Sequence, residues 1–120
     1  MTADKLKIAA VQMVSTPLPE ENFAAARRLV GQAAREGAQL VLLPEYWPIM
    51  GRKDADKLAH AETPDAGPIQ ACMAELAREH RLWLVGGTLP MAAPEPDKVL
   101  NTSMVYNPQG ERVARYDKIH

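Results

Sequence analysis

The chain has 120 residues, a net charge of −1 at pH 7, 47% apolar residues and 24% charged residues. This length suits one domain, and the mixed charges exclude a long basic surface for nucleic acid or anionic membranes. The only cysteine, Cys72, excludes an internal disulfide and a cysteine-rich metal site. We therefore expect a protein of a reducing compartment, the cytoplasm, without a signal peptide or a membrane-spanning helix.

The first part of the chain predicts a strand, a helix and a second strand. Residues 5–13, KLKIAAVQM, alternate and then become continuously apolar, which is typical of a strand. Residues 20–36 predict a helix that ends before Gly37, because apolar side chains recur at three- and four-residue spacing: Phe23, Ala26, Leu29, Val30, Ala33 and Ala34. Residues 40–43, LVLL, predict a strand that is buried on both faces.

The remainder predicts one more helix and three more strands. Residues 46–67 are mostly a loop with one short helical turn, and a helix begins at Pro68. LWLVGGTL, residues 82–89, is the third buried strand, and MAAPEPDK is a proline-rich loop. A hairpin follows, with its turn at residues 107–110. The order β-α-β-α-β-β-β predicts an α/β fold with parallel strands that ends in an antiparallel ribbon.

Glu45 is the first candidate for chemistry. It follows Pro44 at the carboxyl end of the most apolar strand, which is where open α/β sheets bind their ligands. A carboxylate among apolar side chains is harder to ionise and can serve as a general base. On position alone, a solvent-facing acid or an ion pair with Arg52 explains the residue better.

Lys118 and Asn101 lie in the predicted hairpin. A lysine held against a carboxylate in a dry cleft can stabilise a developing oxyanion, whereas a lysine on an edge strand commonly prevents edge pairing. The Asn101 amide either orients backbone near the site or makes an ordinary turn-edge hydrogen bond. Neither residue carries a functional signal by itself.

Cys72 and the three histidines give no site of their own. Cys72 lies on the apolar stripe of the second helix, so core packing is favoured over a reactive thiolate. His60, His80 and His120 lack the spacing of metal ligands. Gly86-Gly87 lacks a following helix N-terminus and instead predicts a close backbone approach at the strand end.

Taken together, several segments resemble the nitrilase, or carbon–nitrogen hydrolase, superfamily. They are KIAAVQM, REGAQLVLLPEYW, the GP before the second helix, LVGGTLP, LNTSMVYNPQGE and RYDKIH. They occur in the order found in the family and cover nearly the whole chain. The combination of GAQLVLLPE with a downstream NPQG and YDKIH is more specific to this family than the first segment or the downstream segments alone.

The resemblance implies that residues 1–120 are the N-terminal portion of a single domain, part of a four-layer α-β-β-α sandwich. It implies a Glu-Lys-Cys triad in which Glu45 is the general base and Lys118 stabilises the oxyanion. The nucleophilic cysteine of the family lies beyond residue 120, and Cys72 does not match its motif. We expect the 120-residue chain alone to be at best weakly folded and inactive. The resemblance implies no metal and no organic cofactor.

Within the superfamily, the chain looks closest to bacterial ω-amidases and deaminated glutathione amidases. This implies hydrolysis of a small carboxylate-bearing amide to an acid and ammonia. Tyr46, Trp47, Arg52 and Asn101 are predicted to contribute to substrate binding. Arg52 either clamps the substrate carboxylate in a bidentate pair or is a solvated loop arginine.

Other functions remain open at this point. A true nitrilase is the alternative within the enzyme class, and a protein without any nucleophile is another. A non-catalytic truncated module for binding or dimerisation is the alternative from a different class. The expected partner is a small-molecule amide, with homo-oligomerisation of the complete protein and with neither nucleic acid nor membrane.

Overall fold

The structure is a computed structural model that describes residues 5–51 and 54–118. Arg52 and His120, both named in the sequence analysis, lie outside the described residues. The elements in chain order are β1 (Ile8–Ala10), α1 (Pro19–Arg35), β2 (Leu40–Leu43), α2 (Asp54–His60), α3 (Pro68–His80), β3 (Trp83–Gly86), β4 (Leu89–Ala92), β5 (Val99–Tyr106) and β6 (Arg112–Asp117). Within the described ranges, no helix has both the length and the apolar character needed to cross a bilayer.

The strands form one mixed six-stranded sheet, which confirms the predicted α/β class. β1, β2 and β3 are parallel neighbours, and their register places Leu40 between Ile8 and Trp83. β5 pairs antiparallel with β3, β4 and β6. The predicted hairpin is confirmed by the β5–β6 pairing and by the turn, where the Gly110 N–H donates to the Asn107 carbonyl at 2.9 Å.

The end of α1 was predicted to within one residue. Gly37 has φ +90°, a conformation that suits glycine, and its N–H donates to the Ala34 carbonyl at 3.0 Å. The next N–H, that of Ala38, donates to the Ala33 carbonyl at 3.0 Å. These two bonds form a Schellman motif, which satisfies carbonyls that the last helical turn leaves without partners. The chain can then enter β2 directly.

Four of the predicted elements differ from the structure. The first predicted strand, residues 5–13, contains only three residues in strand conformation, β1 (Ile8–Ala10). The predicted strand over residues 82–89 is two strands, β3 and β4, because the chain turns at Gly87, where φ is +40°. β4 extends to Ala92, so the first two residues of the predicted proline-rich loop are in the sheet. The predicted loop over residues 46–67 contains α2, a helix of seven residues instead of a single turn.

The core lies between one face of the sheet and the helices α1 and α3. Its members on the sheet include Val41, Leu43, Leu84 and Met104, and they alternate along the strands with side chains of the opposite face. That opposite face carries exposed apolar residues, which are Ile8, Leu42, Trp83 and Tyr116. One face of the sheet is therefore covered by helices, while the other face presents apolar side chains to solvent.

Candidate active site

Glu45 lies just beyond the carboxyl end of β2, at a sharp corner of the chain. Tyr46, the next residue, has φ +52°, which is uncommon for a residue with a side chain. Its backbone N–H donates a hydrogen bond of 2.9 Å to Oγ1 of Thr88. Thr88 is only 3% exposed. The corner that carries Glu45 is therefore fixed by a buried hydroxyl on the neighbouring β3–β4 connection.

Gly87 allows that connection to approach the corner. A Cβ atom at Gly87 would lie 1.9 Å from the Pro44 carbonyl oxygen. A Cβ at Gly86 would lie 2.2 Å from the Met73 sulfur. The Pro44 backbone excludes a side chain at Gly87, which confirms the close backbone approach predicted from the double glycine, whereas the contact at Gly86 is with the flexible end of a side chain.

Lys118 follows the carboxyl end of β6 and contacts Glu45. Its backbone N–H donates to the Asn101 carbonyl at 2.8 Å, which continues the β5–β6 pairing past the end of β6. Its Nζ donates a hydrogen bond to Oε1 of Glu45, a residue 73 positions earlier in the chain. The structure thus brings the Glu45 carboxylate and the Lys118 ammonium group together. These are the two members of the Glu-Lys-Cys triad that the resemblance implies within this chain.

This pair is open to solvent in the described chain. The Glu45 side chain is 60% exposed and the Lys118 side chain 38% exposed. The described residues therefore do not supply the dry cleft that was expected around the acid. Chemically, the carboxylate can accept a proton and the ammonium can donate a hydrogen bond to an oxyanion.

Asp117 anchors the strand end next to Lys118. Thr102 is fully buried, and its hydroxyl donates a hydrogen bond of 2.7 Å to Oδ1 of Asp117. This bond, together with the Arg115 guanidinium, holds the pKa of the Asp117 carboxyl below its usual value. The ionised carboxylate therefore helps to fix the backbone that presents Lys118.

Two predicted substrate-binding residues, Tyr46 and Asn101, line a recess of about 270 Å³. Tyr46 follows Glu45 in the chain, and the Asn101 carbonyl accepts the hydrogen bond of the Lys118 backbone N–H. Lys57 of α2 lines it too, and its Nζ lies 4.0 Å from the centroid of the Tyr46 ring. Trp47 points elsewhere: it is fully buried, and its ring packs at a tilt on Phe23 with centroids 5.9 Å apart. Arg52 is not among the described residues.

Cys72 is a core residue, as its position on the helix stripe predicted. It is 3% exposed, and burial raises the pKa of its thiol to about 11. A thiol in that setting stays protonated at neutral pH and is a poor nucleophile. Among the described residues, no cluster of histidine, cysteine, aspartate and glutamate side chains could hold a metal ion.

Sequence reasoning missed Thr88, Thr102 and Lys57. Thr88 follows the double glycine directly, and a hydroxyl after such a pair is a signal for a backbone contact at the strand end. Thr102 lies two residues before the buried Met104 on β5, and this spacing places both side chains on the inward face. Lys57 gives no signal of this kind, because its contact with Tyr46 depends on how the loop after β2 folds.

The sequence matches the family of carbon–nitrogen hydrolases over residues 7–120. Among curated proteins, it is 35% identical to the deaminated glutathione amidase of Yersinia enterocolitica over 94% of this chain and 39% of that protein. It is 32% identical to the chloroplastic omega-amidase of Arabidopsis thaliana over 97% of this chain and 32% of that protein. The chain thus spans well under half the length of these relatives.

Solved structures of proteins related to this chain also match it over nearly its whole length and over less than half of their own. The chain superposes on Saccharomyces cerevisiae Nit3, a member of branch 10 of the nitrilase superfamily, with a TM-score of 0.84 and 27% identity. That match covers 96% of this chain and 44% of Nit3. A variant of the amidase from Nesterenkonia sp. AN1, with acrylamide added to its active-site cysteine, matches with a TM-score of 0.80 and 26% identity, over 97% of this chain and 45% of that one.

Proposed function

The chain belongs to the carbon–nitrogen hydrolase family, and on that premise we propose that it is the N-terminal part of an amidase for small carboxylate-bearing aliphatic amides. The observation that carries the proposal is the hydrogen bond from Lys118 to Glu45 at the carboxyl edge of the parallel strands. Ligands bind at this edge in open α/β sheets. The amidase relatives support the reaction class.

The proposed chemistry is acyl transfer through a cysteine thiolate. Glu45 takes the thiol proton, and the thiolate attacks the amide carbonyl carbon. Lys118 donates a hydrogen bond to the oxyanion of the tetrahedral intermediate. The C–N bond then breaks, and Glu45 returns the proton to the departing ammonia. A water molecule, deprotonated by Glu45, cleaves the thioester and releases the acid.

The nucleophile of this scheme is not Cys72. Its buried, protonated thiol lies on α3 within the core, and the 120 residues hold no other cysteine. The active-site cysteine of the Nesterenkonia amidase, of which this chain covers 45%, supports a cysteine nucleophile for the proposed reaction. The 120-residue chain alone is therefore inactive in this proposal, and neither a metal nor an organic cofactor takes part.

Residues 1–120 are, in the same proposal, the N-terminal portion of a single domain. The exposed apolar face of β1, β2, β3 and β6 supports this, because a second sheet packed there would bury Leu42, Trp83 and Tyr116. That sheet would also reduce the exposure of Glu45. The complete protein is a homo-oligomer of the cytoplasm, as the family resemblance and the single buried thiol predict.

Substrate binding is assigned to the residues around the corner after β2. Tyr46 and Asn101 are proposed to contact the substrate, because both line the recess beside the Glu45–Lys118 pair. The roles of Trp47 and Arg52 stay predictions. Trp47 fits a supporting position behind the corner better than a direct contact, since its ring is buried against Phe23.

The experiment uses the protein at the length at which its native source makes it. Ammonia release is measured with an aliphatic amide and with the nitrile of the same carbon skeleton. The intact mass and iodoacetamide labelling then locate the reactive cysteine. Release from the amide, with a labelled cysteine after Lys118, is expected. Faster release from the nitrile would identify a nitrilase instead.

The exposed apolar sheet face also favours a second candidate, a non-catalytic module for binding or dimerisation. An intact mass of 13.2 kDa for the native protein would support it, because that product would lack the nucleophile. Mixing the 120-residue chain with a separately expressed C-terminal half distinguishes the two functions. Restored amide hydrolysis would support the enzyme, and stable self-association without it would support the module.

A further inference from the structure

The lining of the recess includes a backbone neighbour of each member of the Glu45–Lys118 pair. Tyr46, which lines it, directly follows Glu45 in the chain. Asn101, which also lines it, accepts the backbone hydrogen bond of Lys118 at 2.8 Å. A substrate whose amide reaches Glu45 can therefore place the rest of its chain in this recess.

The charges of the recess favour an anion. Lys57 and Lys98 contribute two ammonium groups to its lining, and Asp97 contributes one carboxylate. The balance is one positive charge, in a concave site where the screening of charge by water is reduced. The Asp97 carboxylate repels an anion there. Removal of its charge should therefore strengthen anion binding.

Lys57 is the better placed of the two lysines. Its ammonium lies 4.0 Å from the centroid of the Tyr46 ring, a distance at which a cation is attracted by the ring face. The side chain is half-buried on α2, whereas Lys98 is exposed in the loop between β4 and β5. The ring contact orients the ammonium of Lys57 and reduces the entropy that it loses when it binds a ligand.

The other walls and the size of the recess fit a short aliphatic chain. Leu58 and Val99 are half-buried apolar residues in its lining. The volume, about 270 Å³, lies just below the range of pockets for drug-sized ligands. A few methylene groups between an amide and a carboxylate match this combination of apolar wall and ammonium.

We propose that this recess binds the distal carboxylate of the substrate, and that Lys57, held by the Tyr46 ring, is the residue that selects it. The inference rests on the proposed amidase function and adds the residue that determines specificity. Selection comes from an ion pair between the Lys57 ammonium and the carboxylate, with charge-assisted hydrogen bonds. A neutral amide of equal length gains nothing from this pair.

The test compares succinamate with butyramide, which has the same chain length without the carboxylate, in the native-length protein. Lys57→Met is expected to lower kcat/KM for succinamate about tenfold or more, chiefly through KM, because a charge-assisted pair is lost. Butyramide kinetics should change less than twofold. Asp97→Asn should lower KM for succinamate, and Lys5→Met, which removes an exposed lysine before β1, should change neither substrate.

Equal losses for both substrates, or no change for either, in a folded Lys57→Met protein would overturn the inference while amidase activity stands. A KM effect confined to Arg52→Ala would also overturn it and would assign the carboxylate to Arg52. If the protein hydrolyses no amide, the proposed function fails. Titration calorimetry with succinate then measures whether the recess binds a carboxylate in the absence of any reaction. Binding that is lost in Lys57→Met supports the anion site; binding that is equal in both proteins contradicts it.

Discussion

The backbone N–H of Tyr46 donates a hydrogen bond of 2.9 Å to Oγ1 of Thr88, across 42 positions of sequence. This bond stabilises a corner at which Tyr46 has φ +52° and Glu45 leaves the sheet. Conformations of this kind cost about 1–3 kcal/mol and persist only where the surroundings impose them. The buried Thr88 hydroxyl is one such constraint on the position of the Glu45 carboxylate.

Thr88→Val keeps the shape of the side chain and removes the acceptor. We expect the free energy of unfolding of the native-length protein to fall by about 1–3 kcal/mol, because a part-buried N–H loses its partner. We also expect kcat to fall more than KM rises, since Glu45 is displaced. Thr88→Ser retains the hydroxyl and should restore kcat. Equal kcat values for the Val and Ser variants would show that the bond does not position Glu45.

Gly87→Ala tests the close approach between the β3–β4 connection and Pro44. An added Cβ would lie 1.9 Å from the Pro44 carbonyl oxygen, at a φ of +40°. We expect a loss of about 3 kcal/mol or more in urea unfolding, because backbone must move. The control is Gly31→Ala in α1, where the nearest atom would be 3.5 Å away. That change should leave stability unchanged or raise it by up to about 1 kcal/mol.

Cys72 is expected to be inert in the folded protein. Burial raises the pKa of its thiol to about 11, so the neutral form is favoured by folding, and stability falls as pH rises between about 9 and 11. Mass spectrometry after iodoacetamide treatment at pH 8 should find Cys72 unlabelled until denaturant is added. Cys72→Ala should keep amidase activity and lose about 1 kcal/mol of stability. Loss of activity in a folded Cys72→Ala protein would contradict this account.

Thr102→Val should change how stability depends on pH. The Thr102 hydroxyl is the main cause of the lowered pKa of Asp117, which is 3.8 in an unperturbed chain. A lowered pKa contributes stability above the unfolded value, and this contribution disappears as pH falls through the folded value. The stability difference between the wild type and Thr102→Val should therefore be larger at pH 7 than at pH 2. Thr102→Ser, which keeps the hydroxyl, should show a smaller pH dependence, and a difference independent of pH would rule out this role.

Local sequence patterns predicted most of the regular elements. The three- and four-residue spacing in α1 and α3, the Gly37 stop and the Asn107–Gly110 turn each act over a few residues, so a single sequence suffices to find them. The apolar run at residues 40–43, which Pro44 ends, likewise predicts that Glu45 lies at a strand end. Its pairing with Lys118 came from the family resemblance, because no local pattern links residues that are 73 positions apart.

The missed features depend on contacts between distant segments. LWLVGGTL contains a single polar side chain, Thr88, and its pattern favours one continuous strand, because the turn at Gly87 depends on the packing of Pro44 against it. Trp47 lies two residues after Glu45, but the positive φ of Tyr46 turns the chain, and the Trp47 ring packs against Phe23 in the core. The sequence predicts mostly loop with one short helical turn in the region of α2, because its seven residues carry charges without an apolar period.

The most direct test of the account is ammonia release from succinamate by the native-length protein and its Glu45→Gln variant. Gln keeps the shape of Glu45 and removes its basicity, so we expect kcat/KM to fall by about 100-fold or more, the range typical of a general base, with unchanged circular dichroism. Glu36→Gln, which removes an exposed carboxylate after α1, should retain wild-type turnover. A folded Glu45→Gln protein that hydrolyses succinamate as fast as the wild type would contradict the central claim that Glu45 is the base.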